Sequence, residues 1–444
     1  MKNDLTKGSV TKTMLFFAAP MILGNLLQQF YNIADSLIVG QFLGADALAA
    51  VGSAYTLMTF LTSVLIGLCM GSGSLFSFYY GKKDECGLHK SASASFLFIL
   101  TVTIIVNIAV FLGIDKILRL LQVPTSIYEM MREYVAVIFV GIFFIFLYNY
   151  FAYLLRAMGN SVTPLWFLGA AAILNVLLDL LFVVEFTWGI KGAAAATVIA
   201  QAVSGVGIGI YSLIKEPDLR ACLGKEIFKA GSSKGAIAQV VRFSLAACIQ
   251  QSVMNFGILM IQGLVNTFGT AVMAAFAAAV KIDTLAYMPA QEFANAYSIF
   301  IAQNYGAKQP ERLKKGTKAA VGISVLFCLA VSAFVYVSAP LLMRAFVEAE
   351  ETGIIAIGTG YLHIEGSFYW GIGLLFLLYG YFRGSGKPEM SIVLTVISLG
   401  SRVALAYILS PFPDIGVYGI WWAIPIGWIL ADAAGILFYI NRGA

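Results

Sequence analysis

Charge is what this sequence has least of: Asp, Glu, Lys and Arg make up 11% of its 444 residues, where a soluble protein carries about a quarter. That deficit excludes a water-solvated globule. No G-x-x-x-x-G-K-[ST] motif occurs, and the loops are too short for a nucleotidase, so ATP hydrolysis is excluded. Neither H-E-x-x-H nor G-x-S-x-G falls in an apolar span, which argues against an intramembrane hydrolase; no enzymatic activity is expected. The five cysteines, Cys69, Cys86, Cys222, Cys248 and Cys328, lack the paired spacing of a disulfide frame or a zinc site. A net charge of +5 is no nucleic-acid footprint, because the basic residues lie in short loops. No cleavable signal is expected either: thirteen mostly polar residues lead straight into a full-length apolar stretch with no small-residue cleavage pattern.

What is present is hydrophobicity, 60% of residues at a mean hydropathy of +0.87. The apolar stretches run to about 20 residues, enough for a roughly 30 Å hydrocarbon core. This predicts an all-α polytopic membrane protein with spans near 13–38, 48–78, 91–114, 134–155, 162–184, 192–214, 238–265, 272–302, 317–338, 354–382, 389–410 and 417–440. Short alternating segments, the mark of a membrane barrel, are not the pattern. Of the 28 Lys and Arg, 21 fall at the N-terminus, in the even-numbered loops or at the C-terminus; five fall on the opposite side and two inside spans. The positive-inside rule then places both termini in the cytoplasm of a cell that holds this chain in its inner membrane.

The chain also repeats itself. "YYGKKDECGLHK" (79–90) resembles "NYGAKQPERLKK" (304–315), and "FLGADALAAV" (42–51) resembles "TFGTAVMAAF" (267–276), both at an offset of 225. "RAMGN" (156–160) resembles "RGSGK" (383–387), and "WGIKGA" (188–193) shares its glycines with "IGVYGI" (415–420), both at 227. A near-constant shift predicts two pseudo-symmetric six-helix bundles: an N-lobe over 1–214, a polar basic linker over 215–235 and a C-lobe over 236–444. Parallel repeats of this kind enclose a cleft at the membrane midplane that opens alternately to either side.

The two-lobe plan, the R-[AG]-x-G elements after helices 4 and 10, and the YG loops after helices 2 and 8 resemble the multidrug and toxic compound extrusion (MATE) transporters over nearly the whole chain. The acidic set of the first half looks like the DinF-like branch. The resemblance implies a secondary exporter that exchanges H⁺ or Na⁺ for bulky, drug-like, often cationic compounds. It needs no cofactor and no nucleic-acid partner, only the lipid bilayer, and a monomer is expected. The alternative within the same superfamily is a flippase or exporter of lipid-linked or other anionic metabolites. That reading predicts a cavity dominated by Arg and Lys, whereas only Lys281 and Arg402 are intramembrane here.

A charge at the centre of a span costs roughly 3 kcal/mol or more, so each one needs a reason. Asn175 and Asp179 are four apart and share a helix face. At about 1.5 Å per residue, Asp35 lies about 33 Å along helix 1 and Asp179 about 27 Å along helix 5. Thr197 lies about 9 Å below the outer end of helix 6, at a comparable height. Two carboxylates, an amide and a hydroxyl suit either a Na⁺ ion, through hard oxygen ligands, or a proton held by crowded carboxyls. The blander readings are an interfacial Asp35, an Asn175 that glues helices and a Thr197 that only packs. By resemblance, Asp35, Asn175, Asp179 and Thr197 match the N-lobe cation site of DinF-like members. Pro20 matches the proline at which helix 1 bends, and Gln28 and Tyr134 match residues lining that cavity.

The repeat acts as an internal control. Asp35, Asn175, Asp179 and Thr197 map to Met260, Arg402, Ala406 and Ile424, so the second lobe has lost every oxygen ligand. In that lobe, Lys281 with Glu365 and Arg402 with Asp432 are expected as ion pairs, while Lys281 and Asp283, two apart, point different ways. His363 is expected to be packed or hydrogen-bonded. The aromatic runs at 143–155 and 368–382 either line an amphipathic drug cavity or face lipid and core.

Overall fold

Where no water reaches the backbone, a helix is the local way for a chain to satisfy its own N–H and C=O groups, and that constraint dominates this fold. The computed structural model describes residues 4–120, 123–216, 220, 233–348 and 350–441. The first half holds α1 (Val10–Leu43), α2 (Ala45–Lys82), α3 (Glu85–Leu120), α4 (Thr125–Ile138), α5 (Ile142–Ala157), α6 (Val162–Asp179) and α7 (Ile190–Lys215). The second holds α8 (Lys234–Val265), α9 (Thr270–Gly306), α10 (Pro310–Arg344), α11 (Thr352–Gly366), α12 (Tyr369–Gly384), α13 (Pro388–Leu409) and α14 (Val417–Ile440). No strand occurs among the described residues. Most of the expected linker, 215–235, lies outside them.

Among the described residues, eleven helical segments are long and apolar enough to cross a membrane. The twelfth crossing is made jointly by α11 and α12, of 15 and 16 residues, each too short alone. The unbroken tenth helix expected from hydropathy is therefore corrected: the chain turns at Ser367 and Phe368, where Phe368 N–H bonds the Glu365 carbonyl and Gly371 N–H bonds the Phe368 carbonyl. The fourth helix, expected from residue 134, starts at Thr125. Its first turns carry charge, but Ile127, Met131, Tyr134, Val135 and Ile138 are buried along one face, so packing extends the helix past the apolar stretch.

The internal repeat extends to the backbone angles. Lys83 and Lys308, 225 apart, both close a helix in the left-handed region, at φ 58° and 55°. Gly44 and Gly269 (87° and 95°), Gly159 and Gly386 (84° and 82°), and Gly189 and Gly416 (61° and 52°) repeat at the same two offsets. Even the break in the tenth crossing has a counterpart, the 3₁₀ turn Phe139–Gly141, which lies 227 residues before Gly366–Phe368.

The chain divides into two compact units. One is built on Ala19–Cys248, the other on Leu5–Ala18 with Ile249–Ala444. In the first, α2 packs on α3, α4 and α5, and α7 packs on α4, α5 and α6. The first turns of α8 come so close to α2 that a Cβ at Gly71 would sit 2.2 Å from the Phe243 carbonyl oxygen. Ser72 hydroxyl bonds that of Ser244 at 2.8 Å beside this contact. Small residues let helices approach where no hydrophobic effect drives them together. In the second unit α9 packs on α10, α11 and α12, and α13 pairs with α14. The segment before α1 is tied down in this unit by Arg312, whose guanidinium donates to the carbonyls of Leu5, Lys7 and Gly8.

Candidate functional site

Four residues singled out in the sequence meet inside the first unit. Asp35 projects from α1, Asn175 and Asp179 from one face at the end of α6, and Thr197 from α7. Asp179 is wholly buried, Asn175 almost so, and Asp35 is 9% exposed. The Asp35 and Asp179 carboxyls lie within hydrogen-bonding range of each other. The Asn175 amide Nδ2 donates to Thr197 Oγ1 at 3.3 Å. Asp35 Oδ1, Asn175 Oδ1 and both Asp179 oxygens are buried and receive no hydrogen bond from the described residues. A buried acceptor left without a donor costs about 1–3 kcal/mol, more if charged.

Local structure explains this placement. Asp179 ends α6, and the chain continues as a π-helical turn over Leu180–Glu185. Such wide turns recur at functional sites. Two carboxylates held side by side away from water cannot both be ionised without a counter-charge. The described residues place no Lys or Arg in the pair's immediate surroundings. A proton shared between the two, or a Na⁺ ion taking the carboxylate, amide and hydroxyl oxygens, would resolve the clash.

Of the three residues named by resemblance, Tyr134 is buried within electrostatic reach of both carboxyls. Pro20 is half-buried inside α1, fifteen residues before Asp35, and the helix runs on through it. Gln28 is exposed and lies beside Tyr31 rather than among the groups that face the carboxyl pair. Tyr31, which the sequence analysis did not single out, also faces this site. It stands within electrostatic reach of Asp35, one helical turn away. The four-residue spacing was the available signal.

The second unit pairs its buried charges differently from the expectation. Lys281 is exposed and does not neighbour Glu365. Asp283, which lies about 200° further round the helix, is the buried residue instead. Its Oδ2 accepts the Tyr361 hydroxyl at 3.1 Å and its Oδ1 accepts the Tyr369 hydroxyl. Glu365 lies within hydrogen-bonding range of Asp283, and Arg402 is in electrostatic reach of both. Asp432 therefore does not pair with Arg402. It is buried below Gly371 with neither oxygen bonded among the described residues. His363 is hydrogen-bonded, its Nε2 lying 3.0 Å from the Tyr336 carbonyl oxygen, and it stacks on that tyrosine ring.

Among the described residues, eleven membrane-length helices, a crossing made of two short ones and a backbone that repeats across two halves are the architecture of a polytopic membrane transporter. The family model MatE matches residues 20–181 and 244–408, and the chain belongs to that family. The probable multidrug resistance protein YpnP of Bacillus subtilis is 31% identical over 98% of this chain and 96% of that protein. The FAD transporter of Shewanella oneidensis is 23% identical over 98% of this chain and 95% of its own. Among solved structures, a crystal structure of MATE in complex with MaL6 superposes with a TM-score of 0.92 at 26% identity, covering 99% of this chain and 98% of that one. A MOP superfamily transporter from Pyrococcus furiosus does so with a TM-score of 0.92 at 25% identity, covering 99% and 97%.

Proposed function

We propose that this chain is a secondary multidrug exporter of the DinF-like kind, in which a cation enters as an organic compound leaves. The observation that carries the proposal is the facing Asp35 and Asp179 carboxyls, buried beside Asn175 and Thr197 without a donor. Their oxygens take H⁺ or Na⁺, and Tyr134 and Tyr31 flank them. Full-length relatives named as multidrug resistance or export proteins support bulky organic compounds as cargo. The distribution of Lys and Arg supports an inner-membrane orientation with both termini in the cytoplasm.

Coupling follows from population shift. Cation at the carboxyl pair favours one conformation and drug favours another, so each ligand displaces the other without touching it. Pro20 gives α1 a weak point between its start and Asp35 at which such a change bends the helix. A second reading, export of an anionic nucleotide-like compound by the same fold, is favoured by the full-length FAD transporter relative.

The deciding experiment is efflux from proteoliposomes under separately imposed proton and sodium gradients, using both a cationic dye and FAD as cargo. One gradient drives dye export in the wild type, and Asp35→Asn or Asp179→Asn abolishes it while the protein still inserts. Wild-type rates in either neutral variant overturn the assignment. FAD export in place of dye export selects the second reading.

A further inference from the structure

We propose that the cavity between the segment before α1 and the start of α10 holds the phosphate headgroup of an anionic phospholipid. Its leaflet, the cytoplasmic one, follows from the orientation proposed above, but binding there is independent of what the protein exports.

The cavity encloses about 470 Å³. Gly8 and Val10 form one wall, and Gln309, Glu311, Arg312 and Lys315 form the other. Both walls belong to the second compact unit. Arg312 is fixed in place: its guanidinium donates to the carbonyls of Leu5, Lys7 and Gly8 and lies over the Phe300 ring, 5.8 Å from the centroid. Most of its N–H donors are taken, so it contributes a held positive charge to the cavity rather than new hydrogen bonds. Lys315, three residues further along α10, is exposed and makes no hydrogen bond or ion pair among the described residues. Its ammonium brings three free donors on a flexible stem, the group that meets the phosphate oxygens.

The repeat shows that these charges are not dictated by the shared fold. Over 307–318 the chain carries Lys308, Arg312, Lys314, Lys315 and Lys318 against one acid, Glu311. The equivalent stretch, 82–93, carries Lys82, Lys83 and Lys90 against Asp84 and Glu85. The difference falls at the cavity itself. Asp84, which accepts the Gly87 N–H, maps to Gln309, and Gly87 maps to Arg312. Gln309 makes no side-chain cap on α10. The second half therefore lacks a carboxylate that would stabilise its helix and holds a guanidinium beside the position, an exchange that suits a bound anion.

Position selects a lipid over a soluble anion. Residues 319–343 of α10 carry no charge, a run of about 37 Å that crosses the hydrocarbon core. Lys315 stands about 6 Å before this run and Arg312 about 10 Å before it. The headgroup layer adds roughly 5–8 Å on each side of the core. Lys315 thus lies within that layer and Arg312 at its outer edge. Basic pockets at the cytoplasmic ends of transmembrane helices take anionic headgroups in this way.

The test is native mass spectrometry of the full-length protein in detergent, counting copies retained after addition of phosphatidylglycerol, phosphatidylcholine or inorganic phosphate. No transport is read, so failure of the exporter reading and failure of this one separate. Phosphatidylglycerol is expected to add one copy that phosphatidylcholine, whose headgroup is neutral overall, does not displace. Lys315→Gln weakens its binding about fivefold, the worth of one lysine near an anionic surface. Lys314→Gln, the same charge change on a neighbour outside the cavity lining, leaves binding unchanged. Gln309→Asp also weakens binding, yet keeps thermal stability at or above wild type because the acid caps α10 as Asp84 caps α3. That variant separates a lost site from a lost fold. Equal retention of the two lipids, retention insensitive to Lys315→Gln and Gln309→Asp, an equal loss in Lys314→Gln, or binding of inorganic phosphate without lipid overturns the proposal.

Discussion

The amide Nδ2 of Asn175 donates to Thr197 Oγ1 at 3.3 Å, tying α6 to α7 beside the carboxyl pair and leaving Asn175 Oδ1 a buried acceptor without a donor. Removing the hydroxyl frees the amide to rotate and takes one oxygen from the site. Thr197→Ala is expected to raise the cation concentration giving half-maximal efflux by about tenfold, the equivalent of one hydrogen bond of about 1.4 kcal/mol. Thr197→Ser is expected to stay near wild type. Titrating efflux against the driving cation measures both.

Because Asp35 and Asp179 face each other, they are expected to act as one group. In a double-mutant cycle read on cation binding rather than efflux, Asp35→Asn with Asp179→Asn should lose no more affinity than either single change. Losses that multiply would mean two separate sites.

Asp84 caps α3 from the loop after α2. Its Oδ1 accepts the Gly87 N–H at 2.8 Å, and Lys82 Nζ lies 3.1 Å from Oδ2. The Gly87 N–H first, then Lys82, hold this carboxyl below its ordinary range. A group with a lowered folded pKa contributes stability above its unfolded value and loses it as pH falls through the folded one. Asp84→Ala is expected to cost about 1 kcal/mol at neutral pH through the lost cap. The exposed ion pair with Lys82 adds little to that. Thermal unfolding of both proteins over a pH series should converge as acid protonates Asp84.

Gly71 faces the backbone of α8 so closely that an added methyl would meet the Phe243 carbonyl at 2.2 Å. Gly71→Ala is expected to force the helices apart and cost about 1–3 kcal/mol. Gly52, where a Cβ would meet no atom within 4 Å, is the control and tolerates alanine. Melting curves in detergent compare them.

Arg312 holds the carbonyls of Leu5, Lys7 and Gly8 with a planar fork that lysine cannot reproduce. Arg312→Lys is expected to open the segment before α1, read as faster proteolysis near residues 5–8 with unchanged cleavage elsewhere.

Much of this protein was legible along the chain. Hydropathy is a local, additive property, so the crossings, the repeat and the residues too polar for their surroundings could be counted from one end to the other. Height along each helix could be counted as well, because a helix rises by a constant step, and it put Asp35, Asn175, Asp179 and Thr197 at one level. Azimuth was not. Each residue turns the helix by about 100°, and what lies opposite a given face depends on how neighbouring helices rotate and pack. That is why Glu365 is matched at equal height with Lys281 in the sequence, while the structure leaves Lys281 exposed and sets Asp283 against Glu365. It is also why Asp432 was given to Arg402. The break at Ser367 and Phe368 was hidden for a related reason: the residues there are apolar enough to continue a helix, and only the surrounding α9, α10 and α14 provide the packing in which an interrupted one is stable. The sequence by itself determined how many times the chain crosses and which of its residues are too polar for their surroundings. Tertiary packing alone decided which charges meet.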